Sequence, residues 1–330
     1  MEVTKSRKPP VYRSLCYALV VSFLLIMLPS TGCGPAGPAG ITFPDQNLEA
    51  AIREAVGKPT GDIYEADLEK LTSFNASERG IGDLAGLEHA ESLTDLDLHS
   101  NNISDISALA SLTRMRDLDL GANKISHVFA LLDLTSLTYL DLEGNQVSEI
   151  SALSALTSLT HLDLHSNRIS QISPLAHLPS LRELHLGWNE ISDISALANM
   201  TSLTWLDLDS NQISDVSPLA DLIGLTDLYL GWNRLGDISA IARLTALRIL
   251  DLAGNQISDV SAAAGLTSLE ELYFFMNEIS DISPLVANAG LGAGDKVDLG
   301  ENPLSDTSIH TYIPELQARG VTVFYEAAAG

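Results

Sequence analysis

Residues 93–114 read LTDLDLHSNNISDISALASLTR, and this stretch decides the fold. Its apolar side chains follow two spacings. Leu96 and Leu98 alternate with polar neighbours, which suits a short strand with one buried face. Ile103, Ile106, Leu109 and Leu112 fall three apart, which suits a tight turn or 3₁₀ segment. Asparagine stands between the two patterns, and it recurs as Asn101, Asn123, Asn145, Asn167, Asn189, Asn211, Asn233, Asn255 and Asn277, each 22 residues after the one before. Its side chain both donates and accepts, so it can turn the chain out of the strand while holding backbone groups inside a stack. Residues 71–92 form a degenerate first copy with Arg79 in the asparagine slot, and Asn302 marks a last copy lengthened by three residues.

One copy buries too few side chains to offset the entropy of ordering its backbone, so the copies must stack and the ends of the stack must be capped. Asp45, followed by Leu48, Ala51, Ile52 and Val56, predicts an N-capped amphipathic helix closed by Gly57, with a second short element over residues 62–71. At the other end, residues 306–319 read as a helix interrupted by Pro314, followed by Gly320 and a last strand over 321–324. Within each copy, Asp or Ser is placed to cap the turn segment, and Pro174, Pro218 and Pro284 stand near its start.

The repeat, with its Ile-Ser-Asp-Ile-Ser-Pro-Leu wording (residues 279–285) and the preceding Phe43-Pro44-Asp45, resembles the internalin class of bacterial leucine-rich repeat proteins over about residues 41–302. The resemblance implies an α/β repeat solenoid: a curved array with a parallel sheet on its concave face, 3₁₀ or turn segments on its convex face, a helical N-terminal cap and a helix-strand C-terminal cap. It also implies binding of a protein partner on the concave face.

The N-terminus reads as an address. Lys5, Arg7, Lys8 and Arg13 precede an apolar stretch, residues 15–28, shorter than the roughly 20 residues of a membrane-spanning helix. The small residues before Cys33 resemble a lipobox, which implies lipidation of that cysteine; ordinary cleavage nearby and an uncleaved anchor are the alternatives. The expected division is signal peptide 1–32, Gly/Pro tether 33–40, N-terminal cap 41–70, repeats 71–302 and C-terminal cap 303–330. With Cys16 inside the signal and Cys33 at its end, the mature chain has no cysteine to pair. The product is expected in the bacterial envelope or on the cell surface, held to the membrane through its lipid alone, or secreted if Cys33 is unmodified.

The chain has 18 Lys+Arg against 43 Asp+Glu, a net charge of −25. Loss of residues 1–32 removes four basic side chains and Glu2, leaving 14 positive against 42 negative charges, or −28. Such a surface repels nucleic acid, whose affinity for proteins rests on Lys and Arg. In the leucine-rich motif the third, fifth, seventh and eighth residues of each copy project from the concave face. The fifth column reads Asp97, Asp119, Asp141, Asp163, His185, Asp207, Tyr229, Asp251, Tyr273. Like charges about 5 Å apart across strands are unfavourable, so folding is not expected to require this column. A solvated surface spread by duplication and an attractor for a cationic partner both account for it.

All three tryptophans, Trp188, Trp205 and Trp232, fall on those columns, with Tyr139, Tyr229, Tyr273, Phe275 and Met276. Exposed aromatics are enriched in binding hot spots. From residue 181 the aromatic-bearing copies alternate with copies carrying Asp207 and Asp251, a superperiod of 44 residues that duplication of a two-repeat unit also explains. His161, His165 and His185 lie on the same face near Asp163 and Asp207. Same-face neighbours along one strand are nearly 7 Å apart, so no closed zinc cage, and hence no metal, is expected. His185 is expected to have a raised pKa from the two aspartates. No nucleophile elbow, phosphate-binding glycine loop or H-E-x-x-H is present. A monomeric, non-enzymatic protein-binding module without cofactor is therefore expected, the partner being basic if the acidic column attracts it; the alternative is a glycan-binding surface using Trp, Tyr and Asp.

Overall fold

The computed structural model describes residues 40–326; the signal peptide, Cys33 and nearly all of the tether lie outside them. Twelve parallel strands line up in chain order as one sheet, from β1 (Ser73–Asn75) to β12 (Thr322–Phe324). Register advances one copy per strand: Leu96 of β2 (Asp95–Asp97) pairs with Leu118 of β3 (Asp117–Asp119), and that with Leu140 of β4 (Tyr139–Asp141). From β1 to β11 the middle residue of each strand is buried, while its neighbours face the open side of the sheet.

The chain returns on the opposite side through 3₁₀ turns, beginning with Leu87–His89 and Ser107–Leu109 and continuing to Ser261–Gly265. Aspartate opens most of them, while His127, Glu149 and Gln171 hold the slot in three. Asp105 accepts the Ser107 N–H at 2.9 Å, and Asp193, Asp215, Asp237, Asp259 and Asp281 accept the equivalent serine N–H at 2.8 Å. Pro174, Pro218 and Pro284 occupy the first turn, where the missing N–H goes unmissed.

Between strand and turn runs the asparagine ladder. The Asn189 amide nitrogen donates to the carbonyls of Leu164 (2.9 Å), Leu186 (3.1 Å) and Gly187 (3.2 Å), while its oxygen accepts the Ile169 N–H at 2.9 Å. Two of these partners belong to the preceding copy, so each asparagine is satisfied only inside a stack. The other members repeat the pattern, and all nine are buried except the half-buried Asn167. Among the described residues no buried side-chain nitrogen or oxygen lacks a partner.

Helix α1 (Gln46–Ala55) covers the first copy with Leu48, Ala51 and Ile52. Asp45 caps it through the N–H groups of Asn47 (2.8 Å) and Leu48 (3.1 Å), and its other oxygen takes the Gly82 N–H at 2.7 Å, tying the cap to the array. A short α2 (Glu65–Leu68) follows, and the last convex segment is a helix, α3 (Ser283–Ala287). The C-terminal helical run differs from expectation. It continues through Pro314 into α4 (Ile313–Ala318), because the preceding turn, Ser308–Tyr312, widens to π geometry and the Ile313 N–H reaches Ser308. An added residue in the turn absorbs the proline that would otherwise break the helix.

Replacing Asn211 by alanine removes donor and acceptor together from a buried position. The expected loss is about 2–3 kcal/mol, read as a lower urea midpoint in equilibrium unfolding. A change below about 0.5 kcal/mol, the scale of an ordinary surface substitution, would show that the ladder is dispensable.

Candidate functional site

The fifth-column residues end their strands and pair in register across the sheet, Asp141 with Asp163, Asp163 with His185, Asp207 with Tyr229, and Tyr229 with Asp251. The aspartates serve the fold, contrary to expectation. Asp97, Asp119, Asp141, Asp163, Asp207 and Asp251 each accept the backbone N–H two residues ahead, at 2.7–3.0 Å. Each closes an Asx turn where the strand stops, which gives the column a structural role even though its carboxylates repel one another. Asn75 performs the same task in the first copy.

That repulsion remains visible in their acidity. Burial first, and then the neighbouring carboxylates, raise Asp141 and Asp163 to about 6. Burial, reinforced by Asp207 and Asp251, raises Asp209 to about 7, and burial also raises Asp251. On the turn side the same residue type behaves oppositely: hydrogen bonds from Ser107, Ser195, Ser239 and Ser261 hold Asp105, Asp193, Asp237 and Asp259 below the usual carboxylate range.

Aromatic rings lie among these carboxylates. His185 stacks on Trp205 at 3.9 Å between centroids, and Trp205 meets Tyr229 at 5.2 Å, so three adjacent strands share one ribbon. Tyr139 and His161 approach at 6.2 Å. Tyr273 donates to Glu271. The histidines divide among different carboxylates, His161 with Glu183 (3.1 Å), His165 with Asp207 (3.4 Å) and His185 with Asp163 (3.7 Å). The expected rise in the His185 pKa is overturned: burial lowers it, outweighing the aspartates, which pull it upward. Three carboxylates that sequence did not single out as a group, Asp141, Glu143 and Asp163, bring an oxygen each to within 4.8 Å of one another. They are hard oxygen donors, and acidic groups gathered in this way are common on a protein surface without a metal ion.

Trp188 and Trp232 stand just past the strand ends. Trp188 is 62% and Trp232 53% exposed, whereas Trp205 is half-buried in its stack. Their backbone is left-handed, with φ of +55° at both. The eighth slot is left-handed along the array because its N–H turns to the next copy's carbonyl, as Trp188 does to Asp209 at 2.8 Å. Gly144 and Gly254 fill the slot without strain; a side chain there costs about 1–2 kcal/mol. Gly254 has a second purpose, since a Cβ on it would stand 2.7 Å from the Trp232 ring lying across it. Likewise, a Cβ on Gly187 would meet Asp207 at 2.6 Å and His165 at 2.8 Å. The alternation of large residues and glycine is therefore steric as well as repetitive. Phe275 and Met276 continue the exposed rim.

Phe129 escaped the sequence reading. It is 74% exposed on the convex side, in a slot that holds serine in the following copies, and that departure was its one signal.

The family model for leucine rich repeats matches residues 91–147 and 157–213, and that for paired repeats matches 135–177, 201–243 and 245–287. Among solved structures, an internalin (InlF) of Listeria monocytogenes shares 31% identity with a TM-score of 0.74, covering 89% of this chain and 95% of its own. The chain belongs to the internalin class of leucine-rich repeat proteins. Internalin C2 of the same organism shares 33% identity, with a TM-score of 0.56 over 76% of this chain and 100% of its own. A leucine-rich repeat protein of Leptospira interrogans, at 21% identity and a TM-score of 0.64 over 79% of this chain and 74% of its own, shares the fold. No curated protein matches significantly.

The raised aspartates give this internalin-like array a distinctive pH response. Asp141, Asp163, Asp209 and Asp251 hold their protons more tightly folded than unfolded, so their stabilisation is full below about pH 4. It is lost as pH rises through the folded values of about 6 and about 7. Below about pH 4 the turn aspartates, with lowered values, lose their contribution instead. Melting followed by circular dichroism should give a higher Tm near pH 5 than near pH 8; a Tm that rises over that interval would contradict the assignment.

Proposed function

We propose that this internalin-like chain is a non-enzymatic, monomeric protein-binding module of the bacterial envelope, exported by residues 1–32 and anchored through lipid on Cys33, with its partner seated on the concave sheet face. The observation that carries the reading is the pair Trp188 and Trp232. Both are exposed, and both occupy a left-handed slot where Gly144 and Gly254 show the relaxed choice. Ser100, Ala122, Ser166 and Ser210 fill the same slot at similar φ, so what sets these two copies apart is a large ring left mostly in solvent, the kind of feature that a binding surface retains. Among the described residues no helix is long and apolar enough to cross a membrane.

The face could also stack sugar rings on its indoles, and a glycan array tests that alternative directly. The Trp188→Gly/Trp232→Gly double variant should remain within about 1 kcal/mol of the wild type in stability, because released strain offsets the entropy of added glycine. It should lose the proteins that proximity labelling finds beside the wild-type chain in the living cell. An unchanged set of labelled proteins would remove the concave rim from the binding surface. Cys33→Ala should shift the chain from the membrane to the soluble fraction.

A further inference from the structure

The sheet face has a centre where, among the described residues, carboxylates gather without a Lys or Arg partner at ion-pair distance. Tyr229, at the end of β8 (Asp227–Tyr229), pairs in register with Asp207 on one side and Asp251 on the other. Asp227 precedes it in the same strand, Asp209 lies two residues past Asp207, and Trp205 packs beside its ring. Four carboxylates thus surround one phenol ring. The Lys and Arg ion pairs among the described residues all go to other carboxylates. Among the described residues His165, at 3.4 Å from Asp207, is the one basic side chain within ion-pair distance of them, while Arg248 acts on Asp227 and His185 on Asp207 from farther away.

Their hydrogen bonds leave capacity unused. Asp209 Oδ1 accepts the Gly231 N–H at 2.5 Å and Asp251 Oδ1 the Ala253 N–H at 2.8 Å. Among the described residues no donor reaches the second oxygen of either, although both residues are half-buried. A half-buried carboxylate oxygen among like charges is stabilised most by a cation, and an aromatic ring beside it offers a second attraction for the same charge. Gly187 and Gly231 flank Asp209 in the seventh column, so no side chain stands beside it on the two adjacent copies, and Trp188 and Trp232 stand at the rim two copies apart.

We propose that this part of the face receives a basic segment of a protein partner, with an arginine or lysine side chain laid over Tyr229 and its charge held by Asp209 and Asp251. The inference rests on the reading that the concave face binds protein, and adds the chemistry of the partner. Charge complementarity selects the occupant: a neutral sugar leaves the carboxylates repelling one another, and an acidic segment worsens that repulsion. Arginine fits best, since its planar guanidinium can lie on the ring and reach two carboxylates.

The three tryptophans all belong to this face, so fluorescence of the full chain reports on it directly. The probe is the peptide acetyl-Gly-Ser-Arg-Gly-Ser-Arg-Gly-Ser-amide, compared with the same peptide carrying citrulline, which keeps the shape of arginine without its charge. The arginine peptide should perturb the emission saturably and bind at least about tenfold more tightly than the citrulline peptide, with the difference shrinking as salt rises. In Asp209→Asn/Asp251→Asn the preference should vanish while the fold survives, because the asparagine oxygen can still accept the backbone N–H, as Asn75 does. Equal affinity for both peptides, no response to the arginine peptide at millimolar concentration, or an undiminished preference in the folded double variant would overturn the proposal. The citrulline and salt comparisons use the wild type and stand even if the variant misfolds. If the peptides fail while Trp188→Gly/Trp232→Gly still loses its cellular partner, the cation seat is wrong and the protein-binding reading stands.

Discussion

The structure depends on an amide that one copy alone cannot satisfy. Each ladder asparagine donates to carbonyls of its own copy and the preceding one, and accepts an N–H from the preceding one, as Asn189 does with Leu164 and Ile169. Leaving such a group unpaired in the interior is costly, so copies of equal length stack in register. The parallel sheet and the one-copy advance of its strands follow. Variation is then free only where side chains leave the stack, which is why the second chemical layer of this protein lies in columns on the sheet face.

Aspartate shows how position governs chemistry in such an array. On the turn side it accepts a serine N–H at an open surface, and its acidity increases. On the sheet face it accepts an N–H with similar geometry, but burial excludes water and, second to that, Glu143 and Asp207 repel it, so its acidity falls. The hydrogen bond is the same in kind; the surroundings reverse the outcome. A face built in this way carries stored repulsion.

Much of the fold was legible from Leu93, Leu96, Leu98 and Asn101 and their copies, because contacts in a solenoid are made with the nearest copies and recur with the period. Asp45 was legible as a helix cap, but not its second bond to Gly82, which comes from 37 residues along the chain. The face was legible as an address for each residue and much less so as chemistry. His185 was misread because its stack on Trp205 depends on a ring 20 residues away. The fifth-column aspartates were taken for surplus charge because alternation describes which way a side chain points, and not the N–H that it meets at the strand end.

The sequence by itself determined the repeat length, the ladder, the burial of the leucines and the columns that face outward, since each is set by local spacing and confirmed by repetition. Tertiary structure alone decided that Trp188 and Trp232 sit in a left-handed turn, that Gly254 makes room for an indole, and which aspartates hold protons. Those properties depend on residues one and two copies apart, such as Trp232 with Gly254 and His165 with Asp207, brought together by stacking, where desolvation and Coulomb repulsion act through space and leave no mark in local spacing.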